Sequence, residues 1–186
     1  MIDNQVTLRY KVTMRRAVLL PLLGLGGLLC VAGVYLCVYA FSRPQVFVGL
    51  GVPIRQDDFT YTVTAVGKAK TVGEDSEAVR ARGIFYLVTV RLDNHALRVP
   101  YEWDDRVAHI VDAKGVTYGV APHAQAKLNH GHPTSHSVPA GGHASFQLAF
   151  DLPQTAQKPA LAFSNGILMG DVFDLVAYRR TGVTLY

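Results

Sequence analysis

The sequence predicts an all-β protein, an antiparallel β-sandwich preceded by one N-terminal transmembrane α-helix. Two observations carry this prediction. No charged residue occurs from Ala17 to Phe41, although 17% of the whole chain is charged. After Pro44 the continuous apolar run gives way to alternating apolar and polar residues, the pattern of strands with one buried face. That second part has no convincing helical period, so we expect sheet-on-sheet packing.

The apolar segment 17–41 is long enough for a spanning helix, since a bilayer core takes about 20 apolar residues in helical conformation. Basic residues flank it, four before and one after: Arg9, Lys11, Arg15, Arg16 and Arg43. The positive-inside rule then makes residues 1–16 a cytoplasmic arm. We expect a single-pass protein of a bacterial inner membrane, with its C-terminal domain in the periplasm or outside the cell.

Two other interpretations of the apolar segment stay open. Val38-Tyr39-Ala40 resembles a signal-peptidase site, but the apolar run exceeds the roughly 7–15 residues of a signal peptide. A lipoprotein would carry its lipid on Cys30, and Leu29 stands where a small residue is expected. The uncleaved anchor is therefore favoured.

One face of the predicted helix carries small residues at helical spacing, Gly26, Cys30, Gly33 and Cys37. Small residues let two helices approach closely, and close packing drives helix association in lipid. This face is a candidate contact with other transmembrane subunits, although glycine is also common in membrane helices in general.

The exported part is electrically balanced. One acidic and five basic residues precede Pro44, which leaves 13 acidic and 13 basic residues after it. A nucleic-acid partner would require a basic excess on the folded part, so none is expected. Both cysteines, Cys30 and Cys37, lie in the apolar segment, so no disulfide stabilises the exported domain.

Seven or eight strands are predicted, in a domain spanning 51–180 after a linker or first strand at 42–50 and before a tail at 181–186. Asp112-Ala113-Lys114-Gly115 is a hairpin turn signal between two of them. The predicted strands are Val46–Leu50, Phe59–Ala65, Ile84–Leu92, Val107–Val111, Val116–Val120, Phe146–Leu152, Ala160–Phe163 and Val172–Tyr178.

Two long connections, Thr71–Arg82 and Pro122–Gly142, are predicted loops, and such loops are usually functional or mobile. The region 122–143 is rich in histidine, and His130, His132 and His136 could bind copper, zinc or nickel. Their spacing matches no strong zinc signature, so a solvated polar loop is the favoured interpretation. Acidic pairs at Asp57-Asp58 and within 102–105 are more typical of solvated turns than of a calcium site.

Three segments resemble the DUF4352 family of immunoglobulin-like domains. Gly83–Pro100 resembles its element of hydrophobic strand, Asn, short turn and Pro, and Val111–Tyr118 resembles its D-x-x-G-x-x-Y hairpin. Val138–Pro153 resembles its element of proline, glycine, strand and phenylalanine. The resemblance implies an immunoglobulin-like sandwich, often found behind a membrane or lipid anchor. It implies no shared catalytic residues.

The expected function is that of a non-catalytic structural or accessory subunit whose exported sandwich contacts a larger membrane protein complex. Tyr101 and Trp103 are candidate partner contacts, because aromatic residues are enriched at interfaces; a Trp in the core is the competing interpretation. The alternatives are a metal- or ligand-binding module that uses loop 122–143, or a free-standing envelope protein. Signatures of enzymes are absent. No cofactor is expected, and a small-molecule ligand stays open.

Overall fold

The structure, a computed structural model, describes residues 24–39, 42, 45–74, 77–130, 135–163 and 181–186. The chain divides into two units, Met1–Arg43 and Pro44–Tyr186. In the first unit, residues 24–39 form helix α1 with exposed side chains. Among the described residues, no helix is both long and apolar enough to span a membrane. The predicted cytoplasmic arm 1–16, and residues 17–23, 40 and 41 of the predicted membrane segment, lie outside the described residues.

In the second unit the described residues form eleven strands, one 3-10 turn at Asp105–Val107 and helix α2 (Pro122–Leu128). The strands are β1 (Val46–Val48), β2 (Ile54–Gln56), β3 (Phe59–Val72), β4 (Val79–Asn94), β5 (Tyr101–Asp104), β6 (Ala108–Val111), β7 (Thr117–Gly119), β8 (Ser135–Val138), β9 (His143–Leu152), β10 (Ala160–Phe163) and β11 (Thr181–Thr184).

These strands form two main sheets and a ribbon. The larger sheet has the order β1-β11-β10-β6-β7, the second has the order β2-β3-β4-β9, and β5 pairs with β8. All named pairings are antiparallel except that of β1 with β11, which is parallel. The predicted β-sandwich built mainly from antiparallel strands is confirmed.

The predicted hairpin at 107–120 is also confirmed, since β6 pairs with β7 through Val111↔Thr117. Its turn is organised by Asp112, whose carboxylate accepts hydrogen bonds from the backbone N–H of Lys114 (2.8 Å) and Val116 (3.0 Å) and from the Tyr118 hydroxyl (3.2 Å). Gly115 closes the turn with a φ of 78°, which a side chain would strain.

The core lies on one face of β4 and β9, and α2 covers the other face. Alternate residues of β4 fill the sandwich interior, among them Val88, Val90 and Leu92. The opposite side chain Phe85 packs beneath α2 in a second apolar cluster with Ala124 and Ala149. Where α2 covers the second face, the residues 84–88 of β4 are continuously apolar, whereas Arg91 further along the strand is exposed.

The structure differs from the sequence prediction at several places, and two of the differences are the strands β2 and β5, which were not predicted. Residues 181–184, predicted as part of a tail, form β11 between β1 and β10, with Val183 fully buried. The predicted loop 122–142 contains α2 and β8. The sequence did not indicate α2, because a helix of seven residues is too short to show a helical period. The predicted loop 71–82 is largely an extension of the β3–β4 hairpin. The predicted strand Val172–Tyr178 lies outside the described residues.

Candidate functional site

The loop from β4 to β5, residues 95–100, is held in place by the buried side chain of Asn94. The Asn94 side-chain amide donates hydrogen bonds to the carbonyls of Val99 and Val138, both at 3.1 Å. Its oxygen accepts the N–H of Ala96 at 2.9 Å. Asn94 is only 1% exposed, so these bonds are shielded from water and fix both ends of the loop.

Further bonds attach the start of this loop to the neighbouring hairpin. The backbone N–H of His95 donates to the carbonyl of Asp58 at 2.7 Å. The His95 imidazole lies 3.0 Å from the Thr60 hydroxyl. The loop is therefore a fixed surface feature, with its buried residue Ala96 acting as an anchor.

Two large apolar side chains on this fixed loop point to solvent. Leu97 is 94% exposed and Val99 is 64% exposed. Single exposed apolar residues are ordinary, but two on a loop held by buried hydrogen bonds form a small preorganised apolar surface. We refer to residues 95–100 as the apical loop.

Tyr101 and Trp103, the predicted partner contacts, follow the apical loop directly in the sequence, and they differ in burial. Trp103 is fully buried. Its ring stacks on Phe146 at 4.6 Å, and its indole N–H donates to the Asp105 carboxylate at 2.7 Å. Trp103 is a core residue and offers no surface to a partner, because its N–H and both of its faces are used internally.

Tyr101 is half-buried, with its ring 4.3 Å from that of Phe59. Its hydroxyl accepts a hydrogen bond from the Tyr61 hydroxyl at 3.1 Å. Burial raises the pKa of Tyr61 and, to a lesser extent, that of Tyr101, so both phenols stay protonated. Tyr101 supports the base of the apical loop from inside.

The predicted histidine group is only partly described. His130 is exposed at the end of α2 and has a φ of 50°. His136 stacks on Phe146 at 5.4 Å. His132 lies outside the described residues. Among the residues that the structure does describe, no group of three or more His, Cys, Asp or Glu side chains is placed to hold a metal ion.

The four small residues predicted as a helix-packing face, Gly26, Cys30, Gly33 and Cys37, all lie on α1 and are exposed. Both cysteines are free. A Cβ placed on Gly26 or Gly33 would meet nothing within 4 Å, so this stripe is open along the described helix. Its predicted contact with another helix stays a prediction.

A buried glutamine attaches α2 to the exposed edge of β9. Gln125 is 1% exposed. Its amide group donates to the carbonyl of Gln147 at 2.8 Å and its oxygen accepts the N–H of Ala149 at 2.9 Å. The side chain thus replaces a neighbouring strand at this edge, which otherwise would present unpaired backbone groups.

The sequence interpretation missed Leu97 and Val99 and chose the aromatics beside them. A signal was present, because apolar residues occur in the short Asn-to-Pro turn between Asn94 and Pro100. A turn between two strands has no buried face to fill, so apolar residues there are expected to face solvent or a partner.

The fold and the apical loop place this chain in the class of β-sandwich domains with a fixed loop at one end of the sheets. The chain belongs to the family described as "Domain of unknown function (DUF4352)", whose model matches residues 48–172. No curated protein matches the chain.

Solved structures share the fold at low sequence identity. The yjhA protein from Bacillus subtilis aligns with a TM-score of 0.54 and 10% identity, over 76% of this chain and all of that one (100%). The secreted protein MPT63 from Mycobacterium tuberculosis aligns with a TM-score of 0.47 and 15% identity, over 68% and 94% of the two chains. An uncharacterized β-sandwich protein from Clostridium difficile 630 gives 0.48 and 11%, over 78% and 97%. The similarity to yjhA concerns the fold alone.

Proposed function

We propose that this chain is a non-catalytic, single-pass membrane protein that acts as an accessory subunit of a larger membrane protein complex. In this proposal residues 17–41 span a bacterial inner membrane, and an immunoglobulin-like sandwich stands on the periplasmic or outer side. The apical loop, through Leu97 and Val99, inserts into an apolar recess of a partner subunit.

The observation that carries this proposal is the fixed presentation of two apolar side chains. Leaving Leu97 in water costs roughly 1.5–3 kcal/mol relative to full burial, and its loop is held in place by Asn94 beforehand. A preorganised loop loses little conformational entropy when it binds. A partner pocket that accepts this loop would therefore lose less of the burial energy to ordering of the loop.

A second group of exposed apolar residues supports the membrane part of the proposal. Phe47, Leu50 and Val52 are 53%, 50% and 42% exposed, and they lie where the chain enters the sandwich. Apolar side chains close in sequence to a spanning helix suit the interfacial layer of a bilayer.

The test is native gel electrophoresis of the intact chain, extracted from its own membrane with a mild detergent. The double substitution Leu97→Ser and Val99→Ser should release the chain from a larger complex, because loss of one buried aliphatic contact already weakens binding roughly tenfold or more. Val116→Ser is the matched control, since Val116 is 46% exposed on the β6–β7 turn. Equal migration of all variants with the complex would contradict the role of the loop.

Metal binding by His130, His132 and His136 stays a prediction, as the alternative function. It is measured as stoichiometric copper, zinc or nickel in the purified intact chain. The triple replacement by Ala should abolish that metal content, whereas an intact chain without bound metal after incubation with each ion would exclude the alternative.

A further inference from the structure

An open groove with a volume of about 620 Å³ lies beside the start of β4. Buried or half-buried apolar side chains form its floor, among them Val79, Phe85 and Val120. Two exposed arginines line it, Arg80 and Arg82. The groove is distinct from the apical loop, which lies at the other end of β4.

The backbone beside the groove is irregular in a defined way. Ala69 pairs with Phe85 and Thr71 pairs with Arg80, so residues 81–84 stand opposite Lys70 alone. This bulge breaks the regular alternation of the strand. Bulges re-aim side chains and are over-represented next to functional sites.

Two side chains hold the bulge from opposite directions. The Asp151 carboxylate accepts the backbone N–H of Arg82 at 2.9 Å and of Gly83 at 3.1 Å. The Lys70 ammonium donates to the carbonyl of Gly83 at 2.8 Å. Both arginines are thus attached to a backbone whose shape is fixed by polar contacts.

The described lining residues of the groove carry an excess of positive charge, with two arginines against one carboxylate. Asp151 is the only carboxylate among the described lining residues, and each of its oxygens already accepts a backbone N–H. Glu77, on the nearby hairpin, forms its ion pair with Lys127. Within the described ranges, the guanidinium groups of Arg80 and Arg82 make neither a hydrogen bond nor an ion pair.

We propose that this groove binds a small organic anion, with a carboxylate or phosphate against Arg80 and Arg82 and an apolar body on the floor. Guanidinium groups present paired donors that match both kinds of oxyanion. The volume lies within the range of roughly 300–1,000 Å³ that is usual for small-molecule sites. The His123 imidazole, which also lines the groove, offers a further polar contact to the bound anion.

The test measures binding of phenyl phosphate to the full chain in nonionic detergent by titration calorimetry. Inorganic phosphate and benzyl alcohol serve as probes for the charge alone and the ring alone. Phenyl phosphate should bind at least tenfold more tightly than either. The double substitution Arg80→Gln and Arg82→Gln should weaken phenyl phosphate binding at least tenfold. The matched control, Arg55→Gln with Lys114→Gln, removes the same charge outside the groove and should leave binding unchanged.

Equal weakening in both double variants, or equal affinity for phenyl phosphate and inorganic phosphate, would overturn the proposal. A second arm identifies the source of the anion. If nanodiscs that contain phosphatidylglycerol compete with phenyl phosphate and nanodiscs of phosphatidylcholine do not, the oxyanion is a lipid head group. Without such competition the ligand is soluble. Neither result depends on the apical loop, so this proposal and the subunit proposal fail separately.

Discussion

At the scale of single residues, Asn94 connects the fold to the proposed contact surface. It is a polar side chain in the core, and its three hydrogen bonds all go to backbone groups of the apical loop and β8. Replacing it with an apolar residue leaves buried carbonyl and N–H groups without partners, at a cost of about 1–3 kcal/mol.

We therefore expect Asn94→Ala to lower the free energy of unfolding by about 1–3 kcal/mol. Chemical denaturation of the full chain in detergent measures this change. The same variant should also release the apical loop, seen as faster hydrogen exchange at Ala96. Unchanged exchange at Ala96 would mean that the loop is held by other contacts.

Asp112 gives a pH dependence with a defined sign. Although partial burial disfavours its charged form, the N–H groups of Val116 and Lys114 and the Tyr118 hydroxyl lower the pKa of this carboxyl. A carboxyl with a lowered folded-state pKa stabilises the fold above its unfolded pKa, about 3.9. That contribution is lost as the pH falls through the folded-state pKa.

The substitution Asp112→Asn should consequently lower the thermal midpoint near neutral pH. The Asn oxygen is a weaker acceptor for the N–H groups of Lys114 and Val116, and the Asn NH2 group cannot accept from the Tyr118 hydroxyl. The difference between native chain and variant should shrink as the pH falls below about 3.9. Melting curves across this range measure it. A difference that stays constant with pH would show that the charge of Asp112 contributes nothing.

At the scale of elements, α2 has only seven residues, and hydrogen bonds from Gln125 to the backbone of β9 hold it against the sheet. Gln125→Ala should expose the edge of β9 and leave the N–H of Ala149 and the carbonyl of Gln147 unpaired. We expect a loss of about 1–3 kcal/mol in the free energy of unfolding. Gln157→Ala, at an exposed position, is the matched control and should change it little. Equal losses would contradict the role of Gln125.

The bulge in β4 requires glycine at position 83. A Cβ on Gly83 would lie 2.0 Å from the carbonyl oxygen of Leu152, so Gly83→Ala must shift the backbone. We expect a loss of about 1–3 kcal/mol, as for other overpacked sites. Gly119→Ala, where a Cβ meets nothing within 4 Å, should be nearly neutral. Chemical denaturation of both variants measures the two losses, and equal losses would contradict the role of the close approach.

The strands with strict alternation were predictable from the sequence, and those without it were not. β9 follows from its alternation of apolar and polar residues, and the β6–β7 hairpin follows from its turn chemistry. β5 and β11 have four residues each and, unlike the equally short β10, are not continuously apolar. Their strand state depends on partners distant in sequence, such as β8 for β5.

The candidate surfaces were less predictable than the fold. The groove depends on a bulge, and a bulge becomes visible only when two strands are aligned in register. Leu97 is exposed because the buried Asn94 side chain holds the backbone of its loop in place. In both cases the decisive fact is a tertiary contact, which residue types and spacing do not contain.

At the scale of the whole molecule, a β-sandwich of the DUF4352 family follows a proposed membrane anchor in the chain. The proposed orientation rests on the basic residues before Ala17. We expect a protease added outside intact spheroplasts to cut the domain after Arg43 and to spare residues 1–16. Protection of the sandwich from the protease until the membrane is dissolved would reverse the proposed orientation.

The central claim is that the apical loop contacts a partner subunit in the membrane complex. Site-specific photo-crosslinking in the native membrane tests it most directly, with the crosslinking residue at position 97, 99 or 116 of the full chain. The account predicts one discrete protein adduct from positions 97 and 99 and none from position 116. Adducts of equal yield from all three positions, or adducts only with lipid, would contradict it.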